Sequence, residues 1–127
     1  MSILPPITPR QRQGAHAEDQ ACRFLQRHGL RLITRNYRSR RGEIDLIMRD
    51  SDNLVFVEVR YRRHDRYGSG LESVDRRKQQ RIIACAAQYL HQHPGAAQLA
   101  ARFDVVALAA DGRDEQIEWI RNAFDAP

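Results

Sequence analysis

Two short apolar runs, Gly42-Glu43-Ile44-Asp45-Leu46-Ile47-Met48 and Leu54-Val55-Phe56-Val57-Glu58-Val59-Arg60, constrain the fold more than any other feature. Each combines alternation with β-branched residues, and Asp50-Ser51-Asp52-Asn53 between them is rich in turn formers. The pair therefore predicts an antiparallel hairpin. With Ser51 and Asp52 central in the turn, Ile44 faces Val59, Leu46 faces Val57 and Met48 faces Val55 on one apolar face. The other face then sets Asp45 against Glu58 and Glu43 against Arg60. Centring the turn on Asp52-Asn53 keeps the same faces, whereas a one-residue slip reverses them.

Like charges directly opposed destabilise a sheet, so an Asp45–Glu58 pair among valines asks for a cation. Magnesium or manganese suits it, because such hard ions take carboxylate oxygens and fill their remaining positions with water. The alternative is a solvated strand face whose charges keep an edge soluble. Glu18, at the border of an apolar helical stripe, either reaches over the sheet edge toward Asp45 as a further acidic ligand or pairs with an arginine. Glu43 is as readily a salt-bridge partner for Arg60 as a ligand.

At 127 residues the chain is expected to form a single domain, residues 1–127, with residues 1–8 a flexible N-terminus. Cys22 and Cys85 fall in helical patterns rather than at metal-ligand spacing, and read as small buried hydrophobes in a reducing compartment. The opening Met-Ser-Ile-Leu-Pro-Pro is broken by prolines and does not fit a signal peptide. No segment approaches the roughly 20 apolar residues that cross a bilayer. The expectation is a cytoplasmic protein without a membrane partner. A net charge of +5 and a pI near 9.9 favour polyanionic partners. Of the 21 basic residues, Lys78 is the single lysine and 20 are arginines. Arginine's planar fork suits phosphate, although genomic base composition produces the same excess without any function.

The first helix is expected from Thr8-Pro9-Arg10-Gln11, with Thr8 as N-cap and Pro9 at the first helical position, to a stop at Gly29. Its apolar stripe is Ala17, Ala21, Phe24, Leu25 and His28. Leu30 to Tyr37 reads as a strand leading into the hairpin, and His64 to Glu72 as a loop. A second helix spans about Ser73 to His91, with the stripe Val74, Lys78, Ile82, Cys85 and Tyr89. Strands follow at Arg102 to Ala109 and Gln116 to Ile120, joined by a turn at Asp111-Gly112. The order αβββαββ implies a mixed sheet with one parallel crossover and helices packed on it.

Lys78 lies in the core-facing stripe of the second helix, where a lysine is costly unless its amine finds a partner. Arg76, Arg77 and Arg81 share its turns. Cations at a helix N-terminus oppose the helix dipole, so the cluster favours a bound anion such as phosphate, unless the side chains simply snorkel into water. Arg60-Tyr61-Arg62-Arg63-His64-Asp65-Arg66-Tyr67 interleaves aromatics with cations. There Arg62, Arg63, Arg66 and Tyr67 either follow a nucleic-acid backbone and stack on an unpaired base, or form a polar loop. Asp104, at the head of a strand, is read as structural, and His91 and His93 as helix-terminal cations.

The two hairpin strands, together with Gly14-x-x-Ala17-Glu18, Arg35-Asn36-Tyr37, Lys78 and Phe103-Asp104-Val105-Val106, resemble the YraN-like bacterial proteins, uncharacterised protein family 0102. The resemblance covers about residues 13 to 120. That group is similar to archaeal Holliday junction resolvases and the wider PD-(D/E)XK superfamily. It implies a restriction-endonuclease-like α/β fold, a mixed central sheet flanked by helices. It also implies metal-dependent cleavage of nucleic acid, DNA in preference to RNA, and a homodimer by analogy. Asp45 and Glu58 match the acidic metal ligands and Glu18 the helical glutamate of the resolvase-like branch. The superfamily's lysine falls on position 60, which here is arginine. Guanidinium stays protonated and cannot act as a base. Arg60 can still hold phosphate or stabilise charge, and Lys78 can take over the lysine's role. A catalytically inactive nucleic-acid-binding or adaptor module on a nuclease fold is the alternative.

Overall fold

The computed structural model describes residues 9–62, 74–109 and 117–126, with side chains for 14–61, 74–108 and 117–126. Helix α1 (Pro9–Arg27) leads into β1 (Arg31–Ser39), β2 (Gly42–Asp50) and β3 (Asn53–Arg62). Helix α2 (Arg76–Gln92) and a 3-10 turn at Ala96–Gln98 precede β4 (Ala100–Ala109) and β5 (Ile117–Phe124). The strands lie in chain order in one sheet, and among them β3–β4 is the parallel pair. Parallel neighbours need a crossover, which α2 supplies. The order is the αβββαββ expected from the sequence, and the arrangement is compatible with a restriction-endonuclease-like fold.

Each face of the sheet carries its own core. Ala17, Ala21, Cys22 and Leu25 of α1 pack on Leu46, Met48, Val55, Val57 and Val106. Ile82, Cys85, Ala86 and Tyr89 of α2 pack on Ile47, Leu54, Phe56, Phe103 and Val105. Covering both faces explains why the central strands read as nearly continuous apolar runs. Helix α1 stops as expected: Gly29 takes φ +94°, and Leu30 N–H returns to the Leu25 carbonyl at 3.1 Å.

Helix α2 starts later than the expected Ser73. Asp75 is its N-cap, accepting a hydrogen bond from Lys78 N–H at 2.8 Å. The negative group beside the basic first turn is therefore the chain's own carboxylate. Strand β5 runs on to Phe124, beyond the expected end at Ile120. Thr8, the His64–Glu72 loop and the Asp111-Gly112 turn lie outside the described residues. No described helix is long and apolar enough to cross a membrane.

The hairpin register is the expected one up to a point: Leu46 pairs with Val57, Met48 with Val55 and Asp50 with Asn53. Beyond Leu46 the β2–β3 ladder ends, so Ile44 does not pair with Val59 or share its face. Ile44 belongs instead to the α2 core. The same change of face appears across β2, where Arg35 pairs with Leu46 and Tyr37 with Ile44, with Asn36 between them at φ +52°. A left-handed residue inside a strand shifts the pleat by one, and asparagine tolerates that conformation better than most residues. Arg35 accordingly reaches Asp19 of α1 at 2.7 Å, while the Tyr37 ring meets Tyr89 of α2 at 5.2 Å.

Asp104 lies within β4, beside Val57 of β3, rather than at the head of the strand, and is fully buried. Its carboxylate accepts from Trp119 Nε1 at 2.9 Å, Asn122 N–H at 3.0 Å and Arg102 Nε at 3.1 Å. Arg102 also reaches Asp50 at 2.9 Å, tying β2, β4 and β5 together. Breaking a buried ion pair from one side leaves the partners unsatisfied. Asp104→Ala is expected to cost about 3–5 kcal/mol in urea unfolding; a loss under about 1 kcal/mol would show that water replaces the carboxylate.

Candidate functional site

Asp45 sits where the β2–β3 ladder breaks, and its carboxylate does what the next rung would have done. Its Oδ2 accepts the Val59 N–H at 2.8 Å, so the side chain lies in the gap between the diverging strands. Glu58, the residue before, projects from β3 toward α2. Its Oε1 lies 3.5 Å from Lys78 Nζ and 3.7 Å from Arg60 Nη1. Both acids are buried, Asp45 at 9% exposure and Glu58 at 4%.

Burial is the main reason that the Asp45 carboxyl is pushed up from 3.8 to about 8, and the neighbouring charge of Glu58 is the next. The Val59 N–H pulls the other way without overcoming them. Burial also raises Glu58, opposed by the charges of Lys78 and Arg60. The amine that the sequence marks as costly thus finds its partner: Lys78, on the stripe of α2, meets a buried carboxylate of β3.

Other candidates are placed differently. Glu43 does not face Arg60; it pairs across β1–β2 with Arg38, at 3.5 Å. The reason is the same early end of the β2–β3 ladder, which leaves β1 as the strand paired with Glu43. Glu18 approaches from α1, with Asn36 and Arg35 acting on its carboxyl, and its charge is felt at Asp45. It does not complete a three-acid group: among the described residues no three His, Cys, Asp or Glu side chains are arranged to hold a metal ion. Arg76, Arg77 and Arg81 lie exposed along α2. Arg63, Arg66 and Tyr67 fall outside the described residues, as does the side chain of Arg62. Asn36 is the residue that the sequence reading missed, and an asparagine inside a strand run was its available signal.

The profile of uncharacterised protein family UPF0102 matches residues 17–108, which contain the pair, Lys78, strands β1 to β3 and β4 up to Leu108. The chain belongs to that family. A UPF0102 protein of Stutzerimonas stutzeri is 51% identical over 120 residues, covering 94% of this chain and all of the relative. Others from Pseudomonas fluorescens and Nitrosococcus oceani are each 48% identical, covering 91% and 95% of this chain and 95% and 97% of theirs. The YraN-like resemblance of the motifs is therefore a family relationship along nearly the whole UPF0102 chain.

The donor set fits a hard divalent cation: two buried carboxylates that repel each other, with water left to supply the other ligands. Asp45 and Glu58 are the residues that would hold it. The raised acids also set a pH dependence. Between about pH 4 and pH 8 the folded chain keeps a proton that the unfolded chain releases, so stability falls as pH rises through that window. Asp45→Asn keeps an acceptor for Val59 N–H and removes the charge. Without added metal, its Tm is expected to exceed that of the native chain by roughly 5 °C or more at pH 8, with the gap closing toward pH 5. Parallel Tm profiles for the two proteins would show that Asp45 ionises as an ordinary surface acid.

Proposed function

We propose that this chain is a metal-dependent endonuclease-like protein that binds and cleaves structured or branched DNA, with magnesium or manganese as its cofactor. One observation carries the reading: two carboxylates, Asp45 and Glu58, are buried at a break in the sheet, with the half-exposed Lys78 and Arg60 beside Glu58. Buried like charges are costly, and a structural role would be met more cheaply by apolar residues.

A bound divalent ion supplies polarisation of the scissile phosphate and a lower pKa for a water nucleophile. Asp45 and Glu58 would hold the cation by their carboxylate oxygens, and the Val59 N–H fixes the orientation of Asp45. Lys78 Nζ, steered by Glu58, is the group able to give or take a proton at the phosphate. Arg60 stays charged and neutralises charge that develops on the phosphate oxygens. The arginine-rich surface attracts the DNA backbone.

Arg60 at the position of the superfamily's lysine favours a second reading, a catalytically silent DNA-binding module on the same fold. The two readings part in one assay. Purified protein is incubated with a four-way junction and a linear duplex in manganese, beside Asp45→Asn and Glu58→Gln. Cleavage that either substitution lowers by about 100-fold or more supports the enzyme. DNA binding without cleavage supports the module, and cleavage surviving both substitutions marks a contaminant. Lys78→Ala is expected to lower the rate about tenfold or more while junction affinity stays within about threefold. Calorimetric titration with manganese reports on the cation directly: heat is expected for the native chain and none for Asp45→Asn.

A further inference from the structure

Outside the carboxylate pair, the most distinctive surface lies at the β1–β2 turn. Arg38, Ser39, Arg40, Arg41, Gly42 and Glu43 line a hollow of about 580 Å³, and Arg81 of α2 closes its other side. Helix and hairpin meet closely because residue 42 is glycine: a Cβ there would stand 3.3 Å from the Arg81 Cβ and crowd the Arg81 carbonyl. Cys85 Sγ, one helical turn on, donates to the Gly42 carbonyl at 3.5 Å. Four guanidinium groups from two elements therefore border one hollow. Glu43 is the single acid lining it, held loosely by the exposed Arg38. Among the described residues, Arg40, Arg41 and Arg81 make no ion pair with any carboxylate.

Concentrating positive charge in this way costs self-repulsion, and only an anion recovers it. Arginine's fork matches phosphate oxygens two at a time. The position within the strand says which phosphate. Gly42 and Glu43 lie two to three residues before Asp45 on β2, which is roughly 7–10 Å at about 3.3 Å per residue. A strand with its scissile phosphate at Asp45 and Glu58 would set a nearby backbone phosphate in the hollow.

We infer that Arg40, Arg41 and Arg81, with Arg38 at the rim, form a clamp for a backbone phosphate of the bound DNA strand, close to the one at the carboxylate pair. This rests on the proposed function for its substrate, but it concerns binding and needs no metal. The clamp is sequence-independent and sets where along the strand the acids act. Gly42 is the backbone feature that permits it, by letting α2 bring Arg81 against the turn.

The test measures junction and duplex affinity of the full chain by fluorescence anisotropy, without divalent metal, from 25 to 200 mM salt. Arg40→Gln/Arg41→Gln is compared with Arg23→Gln/Arg27→Gln, which removes the same charge from the exposed face of α1. The turn variant is expected to bind about tenfold more weakly at low salt, with a log–log salt slope smaller by about one to two. Arg81→Gln alone is expected to weaken binding about threefold, and the α1 control to stay within about twofold. Arg40→Lys/Arg41→Lys is expected to restore the slope while remaining weaker than the native chain, since charge returns without the fork. Equal losses in the turn and α1 variants, or an unchanged slope in the turn variant, would overturn the clamp. Failure of the cleavage assay with normal DNA binding removes the enzymatic reading and leaves the clamp standing. A native chain that binds neither DNA at 25 mM salt overturns both.

Discussion

The Val59 amide has two possible partners, a rung of the β2–β3 ladder or a side chain, and it takes the carboxylate of Asp45. That single exchange governs this end of the molecule. A regular ladder would have carried Asp45 out to one face, beside Glu58 or opposite it. With the ladder stopped at Leu46 and Val57, the carboxylate lies between the strands, buried and hydrogen-bonded on one side. On the other flank Asn36 has a left-handed backbone at the same height, and β1 changes face there together with β2, whose Ile44 joins the α2 core. The cost of burying Asp45 is thereby tied to backbone geometry in β1, β2 and β3 together.

That dependence explains why the site reads so differently from its separate residues. Glu58 alone would be a buried acid neutralised by Lys78 and Arg60, an ordinary structural ion pair. Asp45 alone would be a side chain capping an orphan amide. Burial, and after it the charge of Glu58, makes Asp45 harder to ionise and pushes it into the range where a proton or a divalent cation decides its charge. The α1 core stays intact beneath this, since Leu46, Met48, Val55 and Val57 lie in the regular part of the hairpin. A rigid frame therefore carries one irregular and electrically unfavourable end, which is the usual distribution when a fold supports a site.

The regular half of the hairpin was legible because its turn residues fixed the register, and Leu46–Val57 and Met48–Val55 pair as the sequence predicts. Its irregular half was not. Both faces of β2 are covered by helices, so apolar residues occur at both parities, and Ile44 reads the same whether or not the pleat shifts. The signal lay in another strand, at Asn36, and no local pattern links that residue to Asp45. Helix α2 presents the same difficulty on a smaller scale. Ser73 and Asp75 are both acceptable N-caps by residue type, and the hydrogen bond to Lys78 N–H selects the second. Lys78 itself was legible as an anomaly, since a lysine on an apolar stripe demands a partner. Which partner depended on how α2 lies over β3, a fact of tertiary packing.

Arginine at position 60 and lysine at position 78 amount to more than an exchange of cations. Arg60 lies two residues beyond Glu58 on the same strand, so its charge reaches that carboxylate whatever α2 does. Lys78 reaches it only because α2 begins where it does, with Asp75 holding the Lys78 amide and Val74 packed into the core just before it. Because Lys78 sits in the first turn of a helix, its position depends on that cap. Arg60 acts on Glu58 from the same strand, while Lys78 acts from the element that the crossover delivers. In this protein the parallel β3–β4 connection thus does more than close the sheet. By carrying α2 over the sheet, it brings Lys78 Nζ to the buried carboxylate of Glu58.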